Sequence, residues 1–115
     1  MQAAGKLWHW LQFEARAEPV DDGYGNTISG VWTEQFTVHA GLQFLRGSEQ
    51  VIAARLEGRS PVVILLRSSQ NARRITHEWR AKDLRTGTIY QIKESPRPSA
   101  DRAFVEMLAE SGVAG

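Results

Sequence analysis

The chain has 115 residues, a hydrophobic content of 42% and a formal net charge of +1, values typical of one soluble globular domain with a single modest core. Because it contains no cysteine, neither a disulfide framework nor a thiolate metal site can form. No apolar run approaches the length of a membrane-spanning helix, and the residues around Lys6 are too polar for a signal peptide. We therefore expect a protein made in the cytoplasm, with no association with a membrane.

Basic and acidic side chains are unevenly distributed along the chain. Residues 1–45 carry a net charge of −3, residues 46–85 carry +5 and residues 86–115 carry −1. Eleven of the fourteen basic residues are Arg, whose planar guanidinium binds carboxylates and phosphates through several hydrogen bonds. The basic middle could contact DNA, or it could dock on the acidic part of a second copy. A scatter of solvated Arg is the simplest alternative for any single residue.

The first quarter of the chain predicts a strand followed by a long loop. Residues 7–16 alternate between two faces, with Trp8 and Trp10 on the face opposite to the main apolar set. Residues 18–30 are rich in Gly, Asp and Asn, which favour turns. Long loops in compact domains are usually functional or mobile. We therefore expect this loop to be functional or mobile, with an ordinary disordered surface loop as the simplest alternative.

The next segment shows a clear period of two, which predicts a second strand. Its apolar face holds Trp32, Phe36, Val38, Ala40, Leu42 and Phe44. Glu34 is the one charged residue at that parity. The pattern therefore places Trp32 on the side of the core.

Residues 46–58 predict the one helix of the chain. Ser48 is a suitable N-cap, and Glu49 lies in the first turn, where the helix dipole favours an acid. Ile52 and Leu56 are four residues apart and form a narrow apolar stripe. We expect this stripe to pack, and a flank of the helix to be exposed or covered by a partner.

Residues 61–67 read Pro-Val-Val-Ile-Leu-Leu-Arg and predict the strand around which the domain is built. Five consecutive apolar residues cannot alternate between a wet and a dry face, so such a strand is covered on both sides. The β-branched residues and the leading Pro favour a strand over a buried helix.

The rest of the chain predicts further short strands. Residues 68–71 read as a polar turn, residues 74–81 and 88–93 as strands, and residues 103–109 as a closing strand, although helical spacing fits this last segment as well. Residues 111–115 read as a frayed tail. Five or six strands with one helix before the central strand predict an all-β fold. We expect residues 1–115 to form a single domain, a small antiparallel β-barrel.

No motif in the sequence predicts catalysis or a cofactor. His9, His39 and His77 lie on different predicted strands without the spacing of a metal site. Asp21 and Asp22 lack the further carboxylates of a calcium loop. No nucleophile elbow or phosphate-binding loop occurs. Because a domain of this size has little room for a substrate cleft beside its core, we expect no enzymatic activity, no metal and no cofactor.

One alternative function follows from the aromatic and basic residues. A small barrel with exposed Trp8, Trp10 or Tyr24 and a basic middle could stack on single-stranded nucleic acid and bind its phosphates, as oligonucleotide-binding folds do. Such a free-standing barrel could equally bind a protein partner. The near-zero net charge weakens the nucleic-acid version.

The order of several landmarks resembles the head–tail connector proteins of tailed bacteriophages, of the head-closure or stopper type also found in gene transfer agents. The resemblance spans residues 13–108. Its landmarks are Asp22-Gly23-Tyr24-Gly25, Trp32, Val38-His39-Ala40, Gly47-Ser48-Glu49, Ile64-Leu65-Leu66-Arg67, Arg74-Ile75, Gly87, Tyr90, Ile92 and a final strand after Arg102.

The resemblance implies a structural virion protein made in a bacterium. It implies a β-barrel subunit of a ring, a hexamer, between the portal or its adaptor and the tail, with double-stranded DNA passing through the channel without being read. The segment corresponding to residues 43–60 would face the channel and could gate it. Its candidate channel residues are Arg46, Ser48, Glu49, Arg55 and Arg59, and the candidate interface residues in the long loop are Asp21, Asp22, Tyr24 and Asn26. The alternative for the helix is that it caps the barrel while its Arg side chains face water.

Overall fold

The fold was determined from a computed structural model, which describes residues 7–17, 20–21, 23–25, 27–28, 30–45 and 47–112. The strands are β1 His9–Arg16, β2 Val20–Asp21, β3 Thr27–Ile28, β4 Trp32–Phe44, β5 Ser60–Arg67, β6 Arg80–Asp83, β7 Ile89–Ile92, β8 Arg97–Pro98 and β9 Phe104–Ser111, and the helices are α1 Glu49–Leu56 and α2 Gln70–Arg74. Within these ranges no helix is long and apolar enough to cross a membrane.

Six antiparallel strands close into a barrel. Neighbouring strands follow the order β5–β4–β1–β6–β7–β9, and β9 pairs back with β5. Strand β8 adds a short edge to β9. Closure pairs the two strands that would otherwise be the edges of the sheet. The predicted all-β barrel of five to six strands, with a helix inserted before the central strand, is confirmed.

Strand β5 is buried on both faces, as its unbroken apolar run predicts. Val62, Ile64 and Leu66 belong to the core cluster inside the barrel and are at most 1% exposed. Leu65 has the opposite parity and is only 6% exposed. Its parity places it on the outer side of the barrel, and helix α1 also contacts β5. Contact with α1 therefore contributes to the burial of β5.

Helix α1 begins as predicted but packs through a different face. The hydroxyl of Ser48 accepts a hydrogen bond from the backbone N–H of Val51 at 3.1 Å, which confirms the N-cap. The buried residues are Val51 and Ala54, whereas Ile52 is 52% exposed and Leu56 is 84% exposed. The prediction that Ile52 and Leu56 pack against the barrel is therefore wrong. A helix on the outside of a barrel needs only one narrow face, and a small residue on that face allows close approach to β5.

A β-bulge in β4 reverses the predicted orientation of Trp32. Phe36 pairs with Phe13, but Glu34 pairs with the very next residue of β1, so Gln35 is an extra residue. The even-numbered residues therefore change sides at the bulge, so that Trp32 and Glu34 face outward whereas Phe36 and Val38 pack against the core. The prediction that Trp32 lies in the core is wrong, because a strict period of two does not allow for an inserted residue. The charged Glu34 at apolar parity was the available signal.

Part of the predicted loop at residues 18–30 is a two-stranded ribbon. Strands β2 and β3 pair with each other and lie between β1 and β4 along the chain. At the base of this β2–β3 ribbon, the N–H of Ala17 donates to the carbonyl oxygen of Val31 at 3.0 Å. Gly30 is needed here because any Cβ would collide with the carbonyl oxygen of Ala17. The loop prediction is therefore wrong where the ribbon forms.

The segment after β5 differs from its predicted pattern. Instead of a simple turn it contains α2, whose N-cap Ser69 accepts a hydrogen bond from the N–H of Ala72 at 3.0 Å. The strand predicted at residues 74–81 is wrong for most of its length, since β6 begins only at its end. Ile75 and Trp79 nevertheless enter the core, with 2% and 9% exposure. The alternation of residues along this segment predicts a strand, but most of the segment forms the end of α2 and a turn.

The closing part of the barrel follows the prediction more closely. Residues 88–93 contain β7, and the closing strand is β9 rather than a helix. Ser111, placed in the tail from the sequence, is the last residue of β9 and pairs with Ser60. Residues 113–115 of that tail lie outside the described residues.

We expect Ile64→Ala to destabilise the domain by about 2–5 kcal/mol, because it leaves a cavity in the filled interior. The matched control is Ile52→Ala, which removes the same atoms from an exposed helix position and is expected to change stability by about 0.5 kcal/mol or less. Urea unfolding of both variants measures the difference. Equal effects would contradict the assigned burial of β5.

Candidate functional site

The segment predicted to face a channel is built around α1 and the turns beside it. The Ser48 hydroxyl is engaged in capping the helix, so its role in the structure is to start α1. Glu49 is exposed in the first turn, where a carboxylate stabilises the helix through its dipole. Arg46 lies outside the described residues. Among the described positions, the cations of this segment are therefore Arg55 and Arg59.

Arg59 is held between two carboxylates. It donates to Glu57 Oε1 at 2.6 Å and to both carboxylate oxygens of Glu110 at 3.3 Å. The hydrogen bond to Glu57 is the main cause that raises the pKa of Arg59 further above its ordinary value. Glu110 is mostly buried and also lies 3.9 Å from Lys93 Nζ. Arg59 thus ties the end of α1 to β9, and it could bind a phosphate only by giving up these partners.

Arg55 is the more available cation. It is exposed in the last turn of α1, and its Nη2 donates to the backbone carbonyl oxygen of Leu45 at 2.8 Å. No carboxylate in the described part of the chain forms an ion pair with it. Its remaining guanidinium donors can therefore bind an anion.

An apolar stripe lies on the exposed face of α1. Ile52 and Leu56 are one turn apart and both exposed. Phe44, at the end of β4 that leads toward the helix, is 43% exposed. Adjacent exposed apolar side chains favour contact with another macromolecule.

The second predicted interface lies at the tip of the β2–β3 ribbon. Asp21 Oδ1 accepts a hydrogen bond from the N–H of Gly23 at 2.9 Å, which shapes the turn. Tyr24 is 88% exposed. Asp22 and Asn26 lie outside the described residues. The described tip therefore presents a carboxylate and a phenol ring to its surroundings.

A charged cluster that sequence reasoning missed lies on the outer face of β1, β4 and β6. Arg80 Nε donates to Glu14 Oε1 at 2.6 Å, and Gln12 Nε2 donates to Glu14 Oε2 at 2.7 Å. The guanidinium groups of Arg16 and Arg80 lie 4.6 and 4.3 Å from the centre of the Trp32 ring, within cation–π range. Glu14 is only 7% exposed, so this pairing compensates the burial of its charge. The cluster therefore links β1, β4 and β6 on the outer face of the barrel.

The three histidines do not come together. His9 Nδ1 lies 4.0 Å from Asp83 Oδ2, the ring of His39 lies 4.3 Å from that of Trp10, and His77 is exposed in a turn. Within the described ranges no group of three His, Asp or Glu side chains could hold a metal ion. The pairs that do form place His9 and His39 in local packing contacts.

The aromatic residues considered for nucleic-acid stacking lie on separate parts of the fold. Trp8 and Trp10 are exposed at the start of β1, with Trp8 stacked on His9 at 4.0 Å, whereas Tyr24 is at the tip of the ribbon. Trp32 is held by its two Arg neighbours, and Trp79 is buried. No single platform combines these rings in the described part of the chain.

Comparison with known proteins gives a family and a fold. The family model described as phage head completion protein matches residues 3–112. No curated protein matches the sequence. The chain resembles the solution structure of protein SF1141 from Shigella flexneri 2a, with a TM-score of 0.70 and 22% identity over 99% of this chain and 100% of that chain. It also resembles a chain in the virion of a native gene transfer agent particle, with a TM-score of 0.60 and 22% identity over 91% and 94%. At this identity the two structures show the shared fold alone.

We expect Glu14→Gln to destabilise the protein by about 2 kcal/mol, because it removes a charge that Arg80 and Gln12 satisfy in a buried setting. The matched control is Glu94→Gln, whose ion pair with Arg97 is exposed on both sides and is expected to contribute about 0.5 kcal/mol or less. Chemical denaturation measures both. A loss at Glu94 as large as that at Glu14 would show that the cluster has no special role.

Proposed function

We propose that this chain, which belongs to the phage head completion protein family, forms a ring of identical subunits, a hexamer, between the portal or its adaptor and the tail. The ring joins head to tail and retains or passes double-stranded DNA through its channel. Family membership makes the chain a structural, head-related phage protein and a component of the virion. The ring, the neighbouring proteins and the DNA channel are the parts that we propose beyond family membership.

The observation that carries this proposal is that the exposed apolar and charged side chains lie on the outside of the barrel. Its interior is filled by side chains such as Leu11, Phe13 and Ile64, each 0% exposed. The apolar stripe of α1, the cation Arg55 and the ribbon tip all lie on the outer surface. Features so placed suit contacts with other macromolecules, which is the work of a connector subunit.

Within the ring, we assign residues 43–60 to the channel side. A guanidinium lining a DNA conduit contacts phosphates without reading bases, so it suits DNA of any sequence. Arg55 is the leading candidate because Arg59 is engaged with carboxylates. Arg46, Ser48 and Glu49 belong to the same segment and complete the proposed channel surface.

The ribbon tip is assigned to contact with a neighbouring ring protein through Asp21, Asp22, Tyr24 and Asn26. The uneven charge supports a head-to-tail arrangement, since an acidic first part can face a basic middle part on the next subunit. Such complementarity speeds association and fixes its orientation.

The proposed function predicts the phenotype of particles made without this chain. Heads should lack attached tails, and their DNA should become accessible to nuclease, because the ring that closes the head is missing. Electron microscopy of the particles and assay of nuclease-protected DNA measure both, and supplying the wild-type chain should restore both. Normal numbers of tailed, DNA-filled particles in its absence would overturn the proposal.

Arg55→Glu is expected to lower the amount of nuclease-protected DNA per particle several-fold while tails still attach, since it replaces a phosphate-binding cation in each subunit by an anion. The control is Arg85→Glu, which makes the same change at an exposed turn after β6 and should leave DNA retention unchanged. If both variants retain DNA like the wild type, Arg55 does not line the channel.

A further inference from the structure

Strand β4 has an edge that no strand covers in the described part of the chain. Strand β1 pairs with residues 32–40 of β4, but β5 pairs only with residues 41–44. The N–H of Leu45 donates to a β5 carbonyl oxygen at 3.3 Å, so the odd-numbered residues in this part of β4 direct their backbone polar groups to that side. The backbone N–H and C=O groups of Thr37 and His39 therefore point to the β5 side of β4, at positions with which β5 does not pair.

Two adjoining clefts run along this edge. One, of about 90 Å³, lies between β4 and α2 and is lined by Phe36, Leu66 and Ala72 among others. The other, of about 390 Å³, is lined by Trp10 together with residues of β4. Arg67 borders both clefts. We call this feature the β4–α2 groove. An extended chain needs a spacing of about 4.8 Å from its neighbour to pair with it, and the groove leaves that side of the strand accessible.

Basic side chains lie in the groove and on the helix beside it. Arg67 lines both clefts, and Arg73 and Arg74 belong to α2, whose Ala72 lines one of them. All three Arg are exposed, and none of them forms an ion pair within the described residues. The hydrogen-bond partners of the last two are neutral: Ser68 for Arg73, and Asn71 and Gln35 for Arg74. On the same stretch of β4, the one acid is Glu34, which accepts a hydrogen bond from Thr37 at 2.7 Å. The cations around the groove outnumber the acids.

The complementary segment is present in the same chain. Residues 17–45 contain no Lys or Arg, and the ribbon region carries Glu18, Asp21 and Asp22. Within the described residues, β2 and β3 pair only with each other, so each keeps one edge for a further strand. The β2–β3 ribbon is therefore an extended, acidic segment with an edge for pairing, and these properties match those of the β4–α2 groove.

We propose that the β2–β3 ribbon of one copy binds the β4–α2 groove of the next copy and adds a strand to β4 at residues 37–39. This inference rests on the proposed ring and names the neighbour of the ribbon as a second copy of this chain. Backbone hydrogen bonds along the edge supply the affinity, and pairing of the ribbon carboxylates with the groove Arg sets orientation and register. Because two different patches meet, the contact repeats around a closed ring.

The absence of cysteine allows a direct test by cross-linking. One variant carries Tyr24→Cys at the ribbon tip and the other carries Asn71→Cys at the groove; each has a different tag, and both are incorporated into the same particles. Mild oxidation should give disulfide-linked heterodimers. The control pairs Tyr24→Cys with Glu94→Cys, an exposed residue that does not line either cleft. The groove pair should give several-fold more heterodimer than the control.

A charge reversal separates the specific contact from random collision. Arg73→Glu in the Asn71→Cys variant should reduce the heterodimer several-fold, because it places an anion opposite the acidic ribbon. A ring present in the particles, with heterodimer no higher than the control pair, would overturn the ribbon contact alone. Absence of the chain from purified particles would overturn the proposed function and this inference together.

Discussion

The burial of β5 on both faces is the constraint on which the rest of the molecule depends. Its inward side chains, Val62, Ile64 and Leu66, fill the barrel, its outward Leu65 is only 6% exposed, and α1 contacts the strand. Strands β4 and β9 pair on either side of it, and this double pairing closes the sheet. The side chains exposed to other molecules, among them Ile52 and Leu56, lie on the outside of the closed barrel.

Features that depend on a few adjacent residues were predicted from the sequence. The five-residue apolar run fixed β5 as a strand shielded on both sides, and Ser48 marked the start of α1, because both signals are local. Trp32 was misplaced because a bulge inserts one residue and reverses all earlier parity. Helix α2 was missed because its five residues are too few to show a helical period. The alternation that includes Ile75 and Trp79 then suggested a strand.

The candidate surfaces were harder to predict because they depend on contacts between distant parts of the chain. The sequence does not distinguish Arg55 from Arg59. In the structure Glu110 pairs with Arg59 but not with Arg55, so Arg55 is the more available cation of the two. The uncovered edge of β4 follows from where β5 stops pairing, which no local pattern reveals. The family resemblance stated from the sequence is confirmed by the family model. It could be recognised because it rests on the order of many landmarks along the chain, so an error in assigning one strand does not remove it.

The central claim is that this barrel works as one subunit of a ring at the junction of head and tail. Electron cryomicroscopy of the particle, with the six-stranded barrel fitted to the density at the head–tail vertex, tests it most directly. The account predicts a closed ring of barrels around the DNA path, with α1 toward the channel and each ribbon reaching the next barrel. A junction without this barrel, or barrels present there as isolated copies that do not touch, would contradict it.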